Sequence, residues 1–234
     1  MEMFNKNLSA LRPNYDFPLP SLQNDCGSRG LVYRAISSDS YVLDVGCDTG
    51  RFGEALHLEK NCIVHGIELD LDAAEIAKSR IDRVITRAIE NEDSFEGLGE
   101  YDAVLFLDVL EHLENPWAVL KGAFKALKLG GTIHVVVPNV AHIAIVRRLF
   151  QGQFEYTEHG SMDRTHLRWF TRKSIKQALE EARFINVKIN MTPQIPFLSS
   201  NSKINTFLSQ QLVKIFPDQL GGSIVVKAEN PNIR

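Results

Sequence analysis

From Val42 to Leu56 the chain reads VLDVGCDTGRFGEAL. An apolar run ends in a carboxylate and breaks into Gly46, Asp48 and Gly50; Phe52 and Leu56 then follow one helical turn apart. A strand-to-helix turn with glycines lets the backbone bend and approach a ligand closely. In an open α/β sheet, turns of this kind bind nucleotide-like molecules. The residues narrow the choice. A pyrophosphate-binding turn requires a middle glycine, and here Asp48 would repel the two phosphates. The Gly-Lys-Ser/Thr that closes a P-loop is missing as well. What fits is a molecule with a ribose, no phosphate and preferably a positive charge.

S-adenosylmethionine has those features, with a sulfonium and an ammonium beside an adenosine. At these residues the chain resembles the class I S-adenosylmethionine-dependent methyltransferases. Asp44, Gly46, Cys47, Asp48 and Gly50 match the family's first motif, with Asp48 where a third glycine usually stands. Aspartate tolerates a left-handed backbone better than most residues, so the departure is mild. The resemblance implies that Glu68, closing HGIELD, accepts hydrogen bonds from both ribose hydroxyls and that Leu69 lies against the adenine. It implies backbone and apolar contact at Ala88 and Ile89, where an aspartate is common in the family. In FLDVLEHLENPWAVL, Leu107, Asp108 and Val109 would border the methionine part, with His112 next to the cofactor pocket. Glu68 is expected to serve the ligand alone, so that its removal leaves the stability of the apo chain almost unmoved. The likeness is specific over roughly residues 40–140 and looser to about 185.

Residues 138–171 resemble a subgroup associated with sugar, cell-surface polysaccharide or natural-product modification. The acceptor implied is a small molecule or glycan, methylated at oxygen. The segment places His159, Asp163, Arg164, His166 and Arg168 among Phe154, Tyr156 and Trp169, a mixture suited to stacking on and hydrogen-bonding a sugar-like molecule. A hydroxyl acceptor must lose a proton; His166 is the candidate base, with Asp163 orienting it or touching the substrate, and His112 competes for the role. No carboxylate cluster with metal-ligand character stands out, so no metal is expected. Three other readings stay open: an NAD-dependent oxidoreductase, a non-catalytic S-adenosylmethionine-binding scaffold, and an RNA methyltransferase. For the last, Arg147, Arg148, Arg164, Arg168, Arg172 and Lys173 could form a basic patch, although the patch could equally hold an anionic acceptor.

The elements that must position these residues are legible from periodicity. The chain has 234 residues and a net charge of -3, enough for one α/β domain and unlike a broad nucleic-acid binder. Strands are expected at 41–45, 62–69, 84–88, 102–108 and 132–138, separated by helices, which implies a Rossmann-like parallel sheet with helices on both faces. In LDAAEIAKSR, Asp72 and Glu75 have capping-box spacing, and the helix from Asn115-Pro116 is expected to stop at Gly130-Gly131. Thr171 should cap a further helix, with Phe170 and Ile175 placed for a hydrophobic staple. Residues 184–191 and 223–228 alternate as antiparallel strands do. The family likeness implies seven strands, mostly parallel, with the last antiparallel. Between the last two, Ile204, Phe207, Leu208, Leu212 and Ile215 form a helical stripe expected to pack in the core.

Residues 1–25 read as an arm or lid and 26–234 as the domain, with an acceptor-side insertion at about 140–171. Cys26, Cys47 and Cys62 are odd in number and lack C-x-x-C spacing, which suits a reduced, cytoplasmic chain. The polar N-terminus is unlike a signal peptide, and no run is long enough for membrane insertion.

Overall fold

The computed structural model describes residues 22–195 and 203–231. Most of the expected arm, along with Ile204's side chain, lies outside the described residues. The first helix, α1 (Ser28–Ala35), is anchored by Asp25, whose carboxylate accepts from the amides of Gly27 at 2.8 Å and Gly30 at 3.0 Å. The chain then alternates β1 (Tyr41–Val45), α2 (Arg51–Lys60), β2 (Ile63–Ile67), α3 (Leu71–Ala77) and β3 (Arg83–Ile85). It crosses to β4 (Tyr101–Leu107), α4 (Pro116–Ala126) and β5 (Leu127–Pro138). The second half comprises α5 (Ile143–Phe150), α6 (Arg172–Glu181), β6 (Ile185–Pro193), α7 (Lys203–Ile215), the short α8 (Pro217–Leu220) and β7 (Gly221–Glu229).

The seven strands form one sheet in the order β3-β2-β1-β4-β5-β7-β6. Neighbours from β3 to β5 run parallel, and β7 alone runs against them, hydrogen-bonded between β5 and β6. This is the mostly parallel sheet with an antiparallel last strand that the family likeness implied. Its central strands are apolar on both faces: Val42, Leu43, Val45, Val104, Leu105 and Phe106 are fully buried between helices. The order reverses between β1 and β4, so a crevice opens where their carboxyl ends diverge, the usual ligand edge of such sheets.

Three local expectations are corrected. The cap of α3 is Asp70, which accepts from the Ala73 amide at 2.8 Å; Asp72 lies inside the first turn. Helix α4 ends at Ala126, ahead of the glycines, because Asn230 from the far end of the chain donates to the carbonyls of Phe124 and Leu127. Gly130 and Gly131 then pair with Asn230's backbone inside β5. The stripe on α7 does not face the core: Phe207, Leu208, Leu212 and Ile215 are exposed, while Ser209 and Val213 are buried. Thr171 caps α6 as expected, and Phe170 and Ile175 are buried in one core cluster.

The end of β5 is tied to β7 and α8 through Asn139, which is fully buried. Its side chain donates to the carbonyls of Asp218 and Gly221, each at 2.8 Å, and accepts from the Ala141 amide at 3.0 Å. Each such bond contributes about 0.5–1.5 kcal/mol, more where a buried partner is left unpaired. Asn139→Ala should therefore lower unfolding free energy by about 2–4 kcal/mol, measured by urea denaturation. A loss below about 0.5 kcal/mol would show that this polar knot does not hold the two halves together.

Candidate active site

A cleft of about 740 Å³ opens at the carboxyl ends of β1, β2 and β4, within the size range of small-molecule sites. Its floor is the turn after β1, from Gly46 to Thr49. Gly46, Asp48 and Gly50 have φ of 71°, 48° and 77°, so the turn uses left-handed backbone three times within five residues. At Gly46 a side chain is also excluded sterically, since a Cβ would stand 2.7 Å from Val109 Cγ2. Asp48 adopts the strained conformation that a glycine would take freely, and its amide is recruited: it donates to Glu68 Oε2 at 2.9 Å.

Glu68 therefore has two tasks. Its other oxygen, Oε1, accepts from the Asp70 amide at 2.8 Å, so the carboxylate bridges the first turn and the start of α3. Each oxygen keeps a further lone pair for a ligand hydroxyl. This corrects the expectation that Glu68 serves the ligand alone. Of the other residues expected at the cofactor, Asp44, Gly46, Cys47, Asp48, Leu69, Ile89, Leu107, Asp108, Val109 and His112 line the cleft. Ala88 and Gly50 do not reach it; Gly50 caps α2 and packs against Ala77.

Carboxylates gather in the cleft: Asp44, Asp48, Glu68, Asp108 and Glu111 all line it. Asp44 is buried, and desolvation pushes its carboxyl up to about 7; Arg29 opposes that rise, while Glu68 and Asp48 add to it. Asp108 is likewise raised by burial, against the pull of Arg29, whose Nη2 lies 3.5 Å from Asp108 Oδ2. Glu111 is driven well above the usual carboxylate range by burial and then by Asp108, and neither of its oxygens has a hydrogen-bond partner. Arg29 carries no sequence signal, and Glu111 stands inside FLDVLEHLENPWAVL with nothing local to mark it out.

Residues 152–169 supply the opposite wall of the cleft with little regular structure, and are anchored where they rejoin the sheet. The amides of Leu167 and Arg168 both donate to the Glu111 carbonyl, at 2.8 and 3.0 Å, and Val140 donates to Phe170 at 3.0 Å. His166 is thereby buried beside His112, with ring centroids 4.8 Å apart in an edge-to-face arrangement. Burial pushes the His166 imidazole down from its ordinary value. Its Nδ1 lies 3.3 Å from the Ser161 carbonyl, whereas the Asp163 carboxylate accepts from the Thr165 amide and hydroxyl. Asp163 thus shapes the loop, and Ser161 orients the ring.

His159, Asp163, Arg164 and His166 line the cleft, but the aromatics expected beside them do not. Phe154, Tyr156 and Trp169 pack edge-on among themselves, and Trp169 with Arg168 borders a separate pocket of about 230 Å³. The basic residues are partly committed elsewhere: Arg164 pairs with Glu158, and Arg172 with Asp218 in a two-point bridge at 2.9 and 3.0 Å.

Residues 23–189 match the family model described as a methyltransferase domain. The chain belongs to this family. It is an S-adenosylmethionine-dependent methyltransferase with the class I fold, as the first motif implied. An uncharacterized protein of Methanocaldococcus jannaschii, MJ1252, is 24% identical over 208 residues, covering 82% of this chain and 78% of that protein. The ubiquinone biosynthesis O-methyltransferase of Dechloromonas aromatica is 34% identical over 103 residues, covering 42% of this chain and 44% of that enzyme. The match thus takes in less than half the length of that curated relative. A crystal structure of an S-adenosylmethionine-dependent methyltransferase from Thermotoga maritima shares the fold, with a TM-score of 0.62 at 17% identity, over 98% of this chain and 97% of that one.

The methyltransferase site fits its cofactor at the turn and at Glu68, and the bridging geometry sets what a variant should do. Charge-assisted hydrogen bonds contribute about 1.5–3 kcal/mol each. Glu68→Ala should weaken S-adenosylmethionine binding at least tenfold, read by calorimetry, and should also lower the melting temperature by releasing the Asp48 and Asp70 amides. Glu68→Gln keeps one acceptor oxygen and should fall between. Unchanged affinity in Glu68→Ala would remove Glu68 from the ribose site.

Proposed function

We propose that this methyltransferase transfers the methyl group to oxygen on a small-molecule or sugar-like acceptor. When bound, S-adenosylmethionine supplies a methyl carbon on a sulfonium that departs with its own electron pair. The protein's part is then to align the acceptor, exclude water and remove a proton. The observation that carries the reading is the joining of two halves in one cleft: the acidic turn and Glu68 on one side, His112 and His166 on the other. Asp44, Asp48 and Glu68 favour a cationic, phosphate-free cofactor beside the turn. Arg29 neutralises part of Asp108 and so fixes where its negative charge falls. His166, held by Ser161, is the group offered to an acceptor hydroxyl, and the loop carrying it covers that end of the cleft. The O-methyltransferase activity named for the Dechloromonas relative agrees with an oxygen acceptor. Among the described residues no helix is long and apolar enough to cross a membrane.

The test is a screen of phenols, free sugars and nucleotide-linked sugars, with amines as controls, reading release of S-adenosylhomocysteine. A hydroxyl acceptor should turn over. His166→Ala should lose about a hundredfold in kcat or more while keeping S-adenosylmethionine affinity within a few-fold. Turnover confined to amines, or a His166→Ala variant with full kcat, would contradict the proposal.

A further inference from the structure

Cofactor binding leaves Glu111 unexplained. Its side chain is 1% exposed, lines the cleft, and has both carboxyl oxygens without a partner. Buried polar groups nearly always find partners, and leaving one unpaired costs about 1–3 kcal/mol, more for a charge. Two imidazoles stand next to it. Glu111, His112 and His166 each offer one ligand atom, and the three atoms lie within 4.8 Å of one another.

The rings are already oriented by their other nitrogens. His112 Nδ1 lies 3.3 Å from the Thr165 carbonyl and 3.1 Å from its hydroxyl, and His166 Nδ1 lies 3.3 Å from the Ser161 carbonyl. A proton on each Nδ1 satisfies those carbonyls and leaves Nε2 with its lone pair. Metal-binding histidines are held in this way, by a carbonyl or carboxylate on the nitrogen away from the metal.

We propose that Glu111, His112 and His166 form a binding site for a divalent transition-metal ion of the zinc type. Two imidazole nitrogens and a carboxylate suit Zn²⁺ and leave a fourth position open, whereas Mg²⁺ and Ca²⁺ prefer shells of oxygen. Metal–ligand bonds of about 2.0–2.2 Å place neighbouring donors roughly 3–3.5 Å apart, so loading draws the three side chains together by about 1 Å. The ion neutralises the orphaned carboxylate and bridges β4's end to the acceptor loop. All three ligands line the cleft, so the open position is offered to whatever the cleft holds beside the cofactor. On the methyltransferase reading, on which this consequence rests, that ligand is the acceptor's hydroxyl oxygen. Its O–H proton passes to solvent as the metal–oxygen bond forms; in the loaded site His166 acts as a ligand, and its role as base belongs to the metal-free site.

The experiment titrates the chelator-stripped full chain with ZnCl₂ and, separately, MgCl₂ by calorimetry, and records the visible spectrum after loading with Co²⁺. The expected result is one Zn²⁺ per chain, no competition from Mg²⁺, and Co²⁺ bands of a low-coordinate nitrogen–oxygen site. His112→Ala and His166→Ala should each weaken Zn²⁺ binding by more than the roughly 10–100-fold typical of losing an outer-shell partner. Melting curves of the metal-free variants confirm folding, and the exposed His112 is the substitution least able to disturb it. Absence of stoichiometric Zn²⁺ binding, or binding unchanged in both histidine variants, would overturn the site. Chelation that leaves turnover intact would overturn its catalytic consequence. Failure of the native chain to bind S-adenosylmethionine would count against the methyltransferase reading instead, because the metal titration does not depend on it.

Discussion

Carboxylates withdrawn from water at the carboxyl ends of adjacent strands are the constraint on which the rest of this site depends. Asp44 on β1 is almost wholly buried, Glu68 follows β2, and Asp108 and Glu111 follow β4. Removing a carboxylate from water is costly unless a positive charge or aligned donors compensate. The chain compensates unevenly. Glu68 receives two backbone amides and Asp108 faces Arg29, whereas burial raises Asp44 to about 7 and leaves Glu111 without a partner. The uncompensated part is what the site has to offer a ligand. A pyrophosphate would aggravate it, and a sulfonium with an ammonium relieves it.

The second half of the chain supplies what the parallel sheet lacks. Its antiparallel β7 locks onto β5 over seven residue pairs, from Thr132 with Glu229 to Pro138 with Ser223. Asn139 then turns the chain out of the sheet toward α5. From there residues 152–169 return across the cleft and attach to the Glu111 carbonyl. Anchoring an irregular loop at a rigid strand end fixes its functional groups without regular structure of its own. His166 reaches His112 through that attachment.

The sheet and the cofactor half were legible because their signals are local. Val42–Val45 and Ala103–Leu107 are apolar runs of strand length, the glycines around Asp48 mark a strained turn, and Glu68 stands where β2 ends. What escaped was decided by distant partners. The end of α4 depends on Asn230, more than a hundred residues away, which overrides the glycine stop signal. The stripe on α7 has helical periodicity, but periodicity cannot say whether a neighbour covers it, and Phe207, Leu208 and Ile215 lie open. The Glu111–His112–His166 grouping spans 55 residues of chain and arises only when the loop docks. Phe154, Tyr156 and Trp169 show that composition does not fix orientation: they pack with one another instead of lining the cleft.

The central claim is that buried acids at the switch between β1 and β4 select a cationic adenosine cofactor. Calorimetric titration of the full chain with S-adenosylmethionine and with NADH, repeated across a series of pH values, tests it most directly. Asp44 must be ionised to attract the cation, so below its pKa of about 7 binding has to expel a proton and affinity falls. The account predicts one S-adenosylmethionine per chain, with affinity rising through about pH 7 in the native chain and losing that rise in Asp44→Asn, and NADH binding far weaker or absent. Tight NADH binding with no S-adenosylmethionine binding at any pH would contradict it.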